Sequence, residues 1–462
     1  MAEAPAGRGR SDIASVAVAT LWAGYLLALP FHRVWVLPWL GIKLQPPEVV
    51  FLGLASASVA LWMRGRVRWR FALADAAAAA WLAANLLAFA WSSEPVGRDG
   101  LIETLGAVYL VGLYVVVRAT ATPPLLDRFG VWFGYSAATA AALGIAGSLA
   151  SYAGLPTRLA TVAQTPVPYL EHAARAQGFT AGPQMLASIL LMAIPLFVAD
   201  RMQQGWRRRD HALVLLLALG LGATVSKTAL CLAAALSVMW AASPPTRQVA
   251  PSRRSRARVL VAVATWVIVA AVFTLGSHVM VLRAAAVPGT TAAQLVGGRP
   301  LASFRWGDEA WVVMPTTYLF NKRASLQAIG RSWPVGVGPA GQPAFTSGLQ
   351  REGRYPKTIR LITPHSTYLG PVAELGAAGL AALLLILAAG GLTIKRLLAD
   401  PARLGWEAAA YAGVGAAFLI EAISTDLLNC RHYWFLLAVM AARLASRAGL
   451  STCEQTQSRG GA

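Results

Sequence analysis

Charge is scarce in this chain of 462 residues: charged side chains make up 13% of it, with 20 Asp and Glu against 40 Lys and Arg. A soluble domain of this length carries about a quarter charged residues, so an ordinary water-soluble fold is disfavoured. Cysteine is almost absent as well. The three present, Cys231, Cys430 and Cys453, show no CxxC spacing, which argues against a disulfide framework or a cysteine zinc site. The sequence also lacks a P-loop, a GxGxxG fingerprint, an HExxH helix and an exposed DxD pair. Nucleotide-dependent chemistry is disfavoured accordingly. Gly336-Val337-Gly338-Pro339-Ala340-Gly341 is glycine-rich but has no Lys or Ser/Thr to cradle a phosphate, and it reads as a plain turn.

What the chain does have is apolar length. Hydrophobic residues are 56% of the sequence, grouped into runs of about 18 to 22 residues, each long enough to cross a hydrocarbon core. The runs fall near 13–30, 47–63, 71–91, 101–117, 129–152, 184–200, 211–225, 227–242, 259–277, 366–393, 406–424 and 432–448. They predict an all-α, polytopic transmembrane bundle of about twelve helices. The run 213–240 is read as two helices because Thr224, Ser226, Lys227 and Thr228 interrupt it, and a charge at bilayer depth is expensive. The first run has no small-residue cleavage site after it and reads as a retained helix.

The net charge of +20 is distributed for a bilayer rather than for nucleic acid. Arg64, Arg66, Arg68 and Arg70, then Arg207, Arg208 and Arg209, then Arg253, Arg254, Arg256 and Arg258 occupy short gaps between apolar runs. Such clusters mark cytoplasmic loops, which also puts both termini inside. Opposite loops hold few basic residues, among them Arg33, Lys43 and Arg98. The implied organisation is helices one to nine over 1–277, a large periplasmic loop at 278–365, helices ten to twelve over 366–448 and a cytoplasmic tail at 449–462. The large loop carries ten basic residues, Arg299 and Arg360 among them, against Asp308, Glu309 and Glu352. Within it, 316–332 has helical spacing, with Leu319, Leu326 and Ile329 near one face, and predicts an amphipathic helix on the membrane surface.

Polar residues recur near the outer helix ends: Arg175, Lys227, Arg323, His365, Asp426, Arg431 and His432. His365, in Thr363-Pro364-His365-Ser366-Thr367-Tyr368, precedes the helix that holds Glu374. A histidine there can accept a proton from a hydroxyl near neutral pH, or merely hydrogen-bond at the interface. Arg175 stands in an irregular, glycine-containing approach to the sixth helix, where a guanidinium and backbone amides can face one anion. Taken singly, Arg175, Arg323 and Lys227 read as solvated or lipid-headgroup cations. Together with one histidine and few outside carboxylates, they ask for an anionic substrate such as a diphosphate. Glu374, Arg331, Asp426, Arg431 and His432 form a second tier of candidates, no metal site is expected, and Asp75, Asn85 and Glu421 are expected to face other helices.

Several of these segments resemble the O-antigen ligase and polymerase superfamily of bacterial inner membranes. Pro364-His365-Ser366-Thr367-Tyr368-Leu369 followed by Ala373-Glu374-Leu375-Gly376 and Gly379-Leu380 is similar to that family's most specific signature. Arg175 with Gly178-Phe179 and Gly182-Pro183-Gln184, Thr224-Val225-Ser226-Lys227, Trp333-Pro334-Val335-Gly336-Val337-Gly338 and Asp426 with Arg431-His432-Tyr433-Trp434 follow in the family's pattern. Two departures stand out: Lys227 where the family usually has Arg, and Gly182-Pro183-Gln184 in place of two asparagines. The resemblance implies an undecaprenyl-diphosphate-linked glycan donor, inverting transfer, and no cofactor. It also implies His365 as the base, with Arg175, Arg323 and Lys227 on the diphosphate. The implied acceptor is the lipid A core, another glycan or lipid, with membrane lipids as the surroundings and no nucleic acid. Polymerase activity and transfer to a protein hydroxyl are alternatives within that chemistry. A transporter of a lipid-linked or anionic solute is an alternative of another class, weakened by the lack of paired halves in the sequence.

Overall fold

The fold follows from where the apolar runs break. The computed structural model describes residues 13–33, 44–67, 69–92, 97–162, 173–244, 253–283, 300–357, 359 and 363–459. The polar N-terminal stretch 1–12, Lys43, Arg68, Arg299 and Arg360 lie outside the described residues. Twelve helices coincide with the twelve expected runs. They are α1 (Ile13–Ala28), α2 (Pro46–Met63), α3 (Leu73–Trp91), α4 (Arg98–Thr120), α5 (Pro123–Tyr152) and α6 (Pro183–Gln204), then α7 (Arg208–Ala223), α8 (Cys231–Ala242), α9 (Arg253–His278), α12 (Gly370–Leu398), α13 (Pro401–Glu421) and α14 (Arg431–Arg459). Two more, α10 (Thr317–Ser332) and α11 (Gln342–Arg351), lie in the segment between α9 and α12. Seven helices, α2, α3, α4, α5, α6, α9 and α12, are long and apolar enough to cross a membrane.

The helices run back and forth, so the bundle has two distinct ends. At one end the starts of α5 and α13 meet the ends of α6 and α8: Gln203 Nε2 donates to Leu404 O at 3.3 Å, and Pro244 lies against Gly405. Arg207–Arg209 at the start of α7 and the Arg70 carbonyl, bonded by Arg118, belong to this end as well. At the other end the α1 terminus bonds Phe179 before α6, and Thr367 before α12 bonds Ala422 after α13. The described basic clusters and the His365 segment therefore occupy opposite ends.

Packing is tightest between α3 and α12 and between α8 and α13. Buried polar groups find partners across helices, as the low dielectric demands. Asp75 accepts from Tyr114 Oη at 2.7 Å and faces Arg118 at 3.8 Å, while Glu421 accepts from Ser188 Oγ at 3.0 Å. Asn85 is buried too and donates back to Trp81 O at 2.9 Å within α3.

Strands appear where the sequence reading expected none. A hairpin pairs β1 (Ala160–Val162) with β2 (Ala174–Ala176), and a three-stranded antiparallel sheet in the order β3-β5-β4 joins Val279–Arg283, Glu309–Pro315 and Ala302–Trp306. The β-branched and aromatic residues of Val279–Arg283 and Glu309–Pro315 explain the sheet. Helix α10 also packs differently from its apolar pattern. Its buried face is small and polar, Asn321, Ala324, Ser325 and Ala328, and Leu326 is 58% exposed.

Candidate functional site

Four loops bring the site together, each for a local reason. The β1–β2 hairpin lies over α5, with Arg175 opposite Thr161 in its register. Gln177 and Gly178 both donate their backbone N–H to Leu159 O, and Gly178 adopts φ 54° with Ala140 O close beneath it. Arg175 thus stands on a strand rather than in an irregular loop. Its Nε donates to Thr224 O at 3.0 Å, tying the hairpin to the elbow that ends α7. In that elbow Val225 is left-handed at φ 45°, an outlier for a β-branched residue, and Ser226 Oγ caps the 3₁₀ turn Lys227–Leu230. Lys227 is exposed as a result, and its stem passes Gly276 of α9.

Helix α10 is fixed to α9 through its N-cap residue, Thr316. Thr316 N donates to His278 O at 2.8 Å and Thr316 Oγ1 to Ser277 O at 2.5 Å. Tyr318 and Lys322, one turn apart, therefore face the elbow. The His365 segment is held from the other side. Thr367 N bonds Ala422 O and Thr425 O, Thr367 Oγ1 donates to Thr425 O at 2.7 Å, and Leu427 N donates back to Thr367 Oγ1. Helix α12 starts at Gly370, four residues later than expected. His365 itself is left-handed at φ 46°, strain of the kind that persists where surrounding contacts over-determine it.

Tyr318 is the hub. Its ring lies 5.7 Å from the His365 ring, Lys227 Nζ stands 5.7 Å from its centroid, and its hydroxyl accepts from Gln184 Nε2 at 3.0 Å. Lys322 Nζ meets His278 Nε2 at 2.5 Å, so that imidazole accepts and is neutral. Burial and then the Lys227 charge push Lys322 down to about 8. Burial alone draws His365 below the usual histidine value, leaving a free base at neutral pH, and burial also weakens the Arg175 cation. Among the described residues no ion pair joins Arg175, Lys227 or Lys322 to a carboxylate. Together they can receive an anion beside a neutral imidazole.

The remaining expected residues divide. Arg323 is exposed on the flank of α10, about 100° round from Lys322, and Lys322 holds the place on the Tyr318 face. Arg331 forms an exposed, two-pronged ion pair with Glu352 at 2.9 Å. Arg431 pairs with Glu48 at 2.6 Å and lies over Tyr109. His432 is fully buried, with Nε2 2.9 Å from Ser188 Oγ.

Glu374 and Asp426 lie apart from the cations, in a pocket they share with Glu103, Asn85 and Asn429. Asn429 donates to Asp426 at 2.9 Å and to Glu103. Burial and then Glu103 push Asp426 up to about 7. Beside this pocket the glycine motifs find their purpose. Gly376 breaks α12 at φ 61°, and Val337 N, Gly338 N and Ala377 N bond Ala373 O, Glu374 O and Pro334 O across the break. A Cβ on Gly376 would stand 2.0 Å from Pro334 O, and one on Gly336 would stand 2.4 Å from Glu374 O. The Gly336–Gly341 turn is therefore one half of a backbone-to-backbone clasp on α12. Tyr318, Gln184, His278 and Lys322 escaped the sequence reading, and for Lys322 the helical phase of α10 was an available signal.

Neither family models nor curated proteins give a match to this chain.

Proposed function

We propose that this protein transfers a glycan from a polyprenyl-diphosphate carrier to an acceptor hydroxyl at the non-cytoplasmic face of a bacterial inner membrane. In this reading all twelve helices span the bilayer, both termini and the basic clusters are cytoplasmic, and 278–365 forms a periplasmic loop with the site at its base. The observation that carries the proposal is the Tyr318 ring, with the His365 imidazole near it on one side and the unpaired Lys227 ammonium on another.

Neutral His365 takes the proton of the acceptor hydroxyl. The freed oxygen forms its bond to the sugar carbon on the face opposite the carrier, and the bond from that carbon to the diphosphate oxygen breaks. The electron pair leaves with the diphosphate, whose growing charge Arg175, Lys227 and Lys322 stabilise, with Arg323 at the rim. A dianionic group meeting three cations without carboxylate partners accounts for the local imbalance of charge. The acceptor is a lipid A core in a ligase and a second carrier-linked glycan in a polymerase.

Reconstitution in liposomes with a carrier-linked glycan and candidate acceptors tests the reading. Wild type is expected to release carrier diphosphate and form glycosylated acceptor, with His365→Ala inactive. Full transfer by His365→Ala would remove the proposed base.

A further inference from the structure

One cavity of note lies outside this site. A groove of about 520 Å³ runs between α2 and α4. Its walls are apolar, and Leu52, Ile102 and Leu105 are more than 45% exposed there, so the groove opens on the face that meets lipid. Its head is polar: Glu48, Glu103, Tyr109, Asn429 and Arg431. Glu103 and Asn429 also line the small pocket of Glu374 and Asp426, so the head of the groove borders that group of carboxyls.

The charges at the head define the ligand. Glu48 is matched by Arg431 at 2.6 Å, which leaves Glu103, Glu374 and Asp426 with no cation among the described residues. Glu374 Oε1 and Asp426 Oδ1 are buried without a hydrogen-bond partner, and so is Nη1 of Arg431. A buried polar atom without a partner costs free energy that a ligand recovers by supplying the missing bond. At the groove's own head, Glu103 asks for an N–H donor such as an ammonium, the free guanidinium nitrogen for an oxyanion, and the apolar walls for a hydrocarbon chain. We propose that this groove binds a bilayer phospholipid with a primary-amine head group, its phosphate on Arg431, its ammonium toward Glu103 and one acyl chain between α2 and α4. The site is independent of the transfer reaction. A purely anionic lipid would bring its charge against the carboxylates, and a choline head group would bring no N–H donor.

Gly106 supplies a clean block. It lies in the groove wall, and a Cβ added there meets nothing within 4 Å, so the side chain of Gly106→Phe has room to start into the groove, with the unfolding temperature checking that the variant is folded. The full chain is placed in nanodiscs holding equal amounts of phosphatidylethanolamine, phosphatidylcholine and phosphatidylglycerol with identical chains. Lipid retained after extraction is then counted by native mass spectrometry. Wild type is expected to keep one phosphatidylethanolamine, favoured about fivefold over phosphatidylglycerol, the ratio that one modest ion pair produces. Gly106→Phe should keep none, and Glu103→Gln should lose the preference while still holding lipid. Equal retention of the three lipids by wild type, a preference for phosphatidylglycerol, or undiminished retention by Gly106→Phe would overturn the proposal.

Discussion

The basic-cluster end of the bundle and the Tyr318 site hold their cations in opposite ways. At the end that holds the basic clusters, the buried arginines have carboxylate partners. Arg443 reaches Asp127 at 2.7 Å and Glu407 at 2.9 Å, and Arg201 bonds Asp200 and lies 3.8 Å from Asp210. At the other end Arg175, Lys227 and Lys322 gather around Tyr318 with no ion pair to a carboxylate among the described residues. A paired buried charge answers to the fold, because losing its partner strands the other half. Cations gathered without partners repel one another and weaken the fold, so their presence asks for something that binds them. The difference separates residues kept for stability from residues kept for a ligand.

Substitutions should divide along the same line. His365→Ala carries the largest expected effect: transfer falls by about 10²–10⁴, the range of a lost general base, with the unfolding temperature unchanged. Lys227→Gln should cost about 10²-fold in turnover while leaving stability within about 0.5 kcal/mol of wild type, because the fold gives it no ion partner. Arg443→Ala should do the reverse. It strands Glu407 and is expected to lower stability by about 3 kcal/mol in a denaturation experiment, with the activity of the surviving folded protein retained. A large stability loss in Lys227→Gln, or none in Arg443→Ala, would erase the distinction between the two ends.

A pH profile sharpens the comparison at the site end. His365 works as the neutral form, and burial lowers its pKa, so the acid limb of the rate profile should fall below the usual histidine value of about 6.5. Lys322 works as the cation, so the rate should fall as pH rises through about 8 and the charge is lost. Burial and then the Arg175 charge push Lys227 down to about 8 as well, so the profile of turnover against pH is a bell whose alkaline limb should move upward in the double variant Lys227→Arg, Lys322→Arg. The smallest effect is expected of Arg323→Ala, an exposed side chain, with stability within about 0.5 kcal/mol and a minor change in rate.

Much of the fold was legible because it depends on run length. The apolar stretches gave the order of the helices, seven of which are long and apolar enough to cross a membrane, and the polar interruption at Thr224–Thr228 gave the α7–α8 break, since a lysine is costly facing lipid at depth. The separation of basic clusters from the His365 segment was legible for the same reason. Contacts made by backbone rather than side chains were not. The clasp between Gly336 and Gly376 joins residues forty positions apart through carbonyl and amide groups that every residue carries, so the glycines looked like a plain turn. Gly376→Ala should expose its role, lowering stability by about 2 kcal/mol or more, because φ is positive there and the Pro334 carbonyl fills the space.

Within the site, sequence order brought out His365, Arg175 and Lys227 because each sits in a distinctive local pattern. It favoured Arg323 over Lys322 as one of the polar residues near the outer helix ends, whereas the choice depends on which face of α10 turns toward the elbow. That face is set by Thr316 bonding the end of α9, a contact that spans 39 residues and leaves no periodic trace. Tyr318 was passed over for a related reason: an aromatic in a helix ordinarily reads as packing, and its place between His365 and Lys227 depends on two loops far away in sequence.

The most direct test is the thermal stability of the protein with and without polyprenyl diphosphate, the product that should be left on the cations. Wild type should be stabilised progressively with the logarithm of ligand concentration, and the triple variant Arg175→Gln, Lys227→Gln, Lys322→Gln should be indifferent to the ligand. Equal stabilisation of both proteins, or none of wild type, would contradict the account.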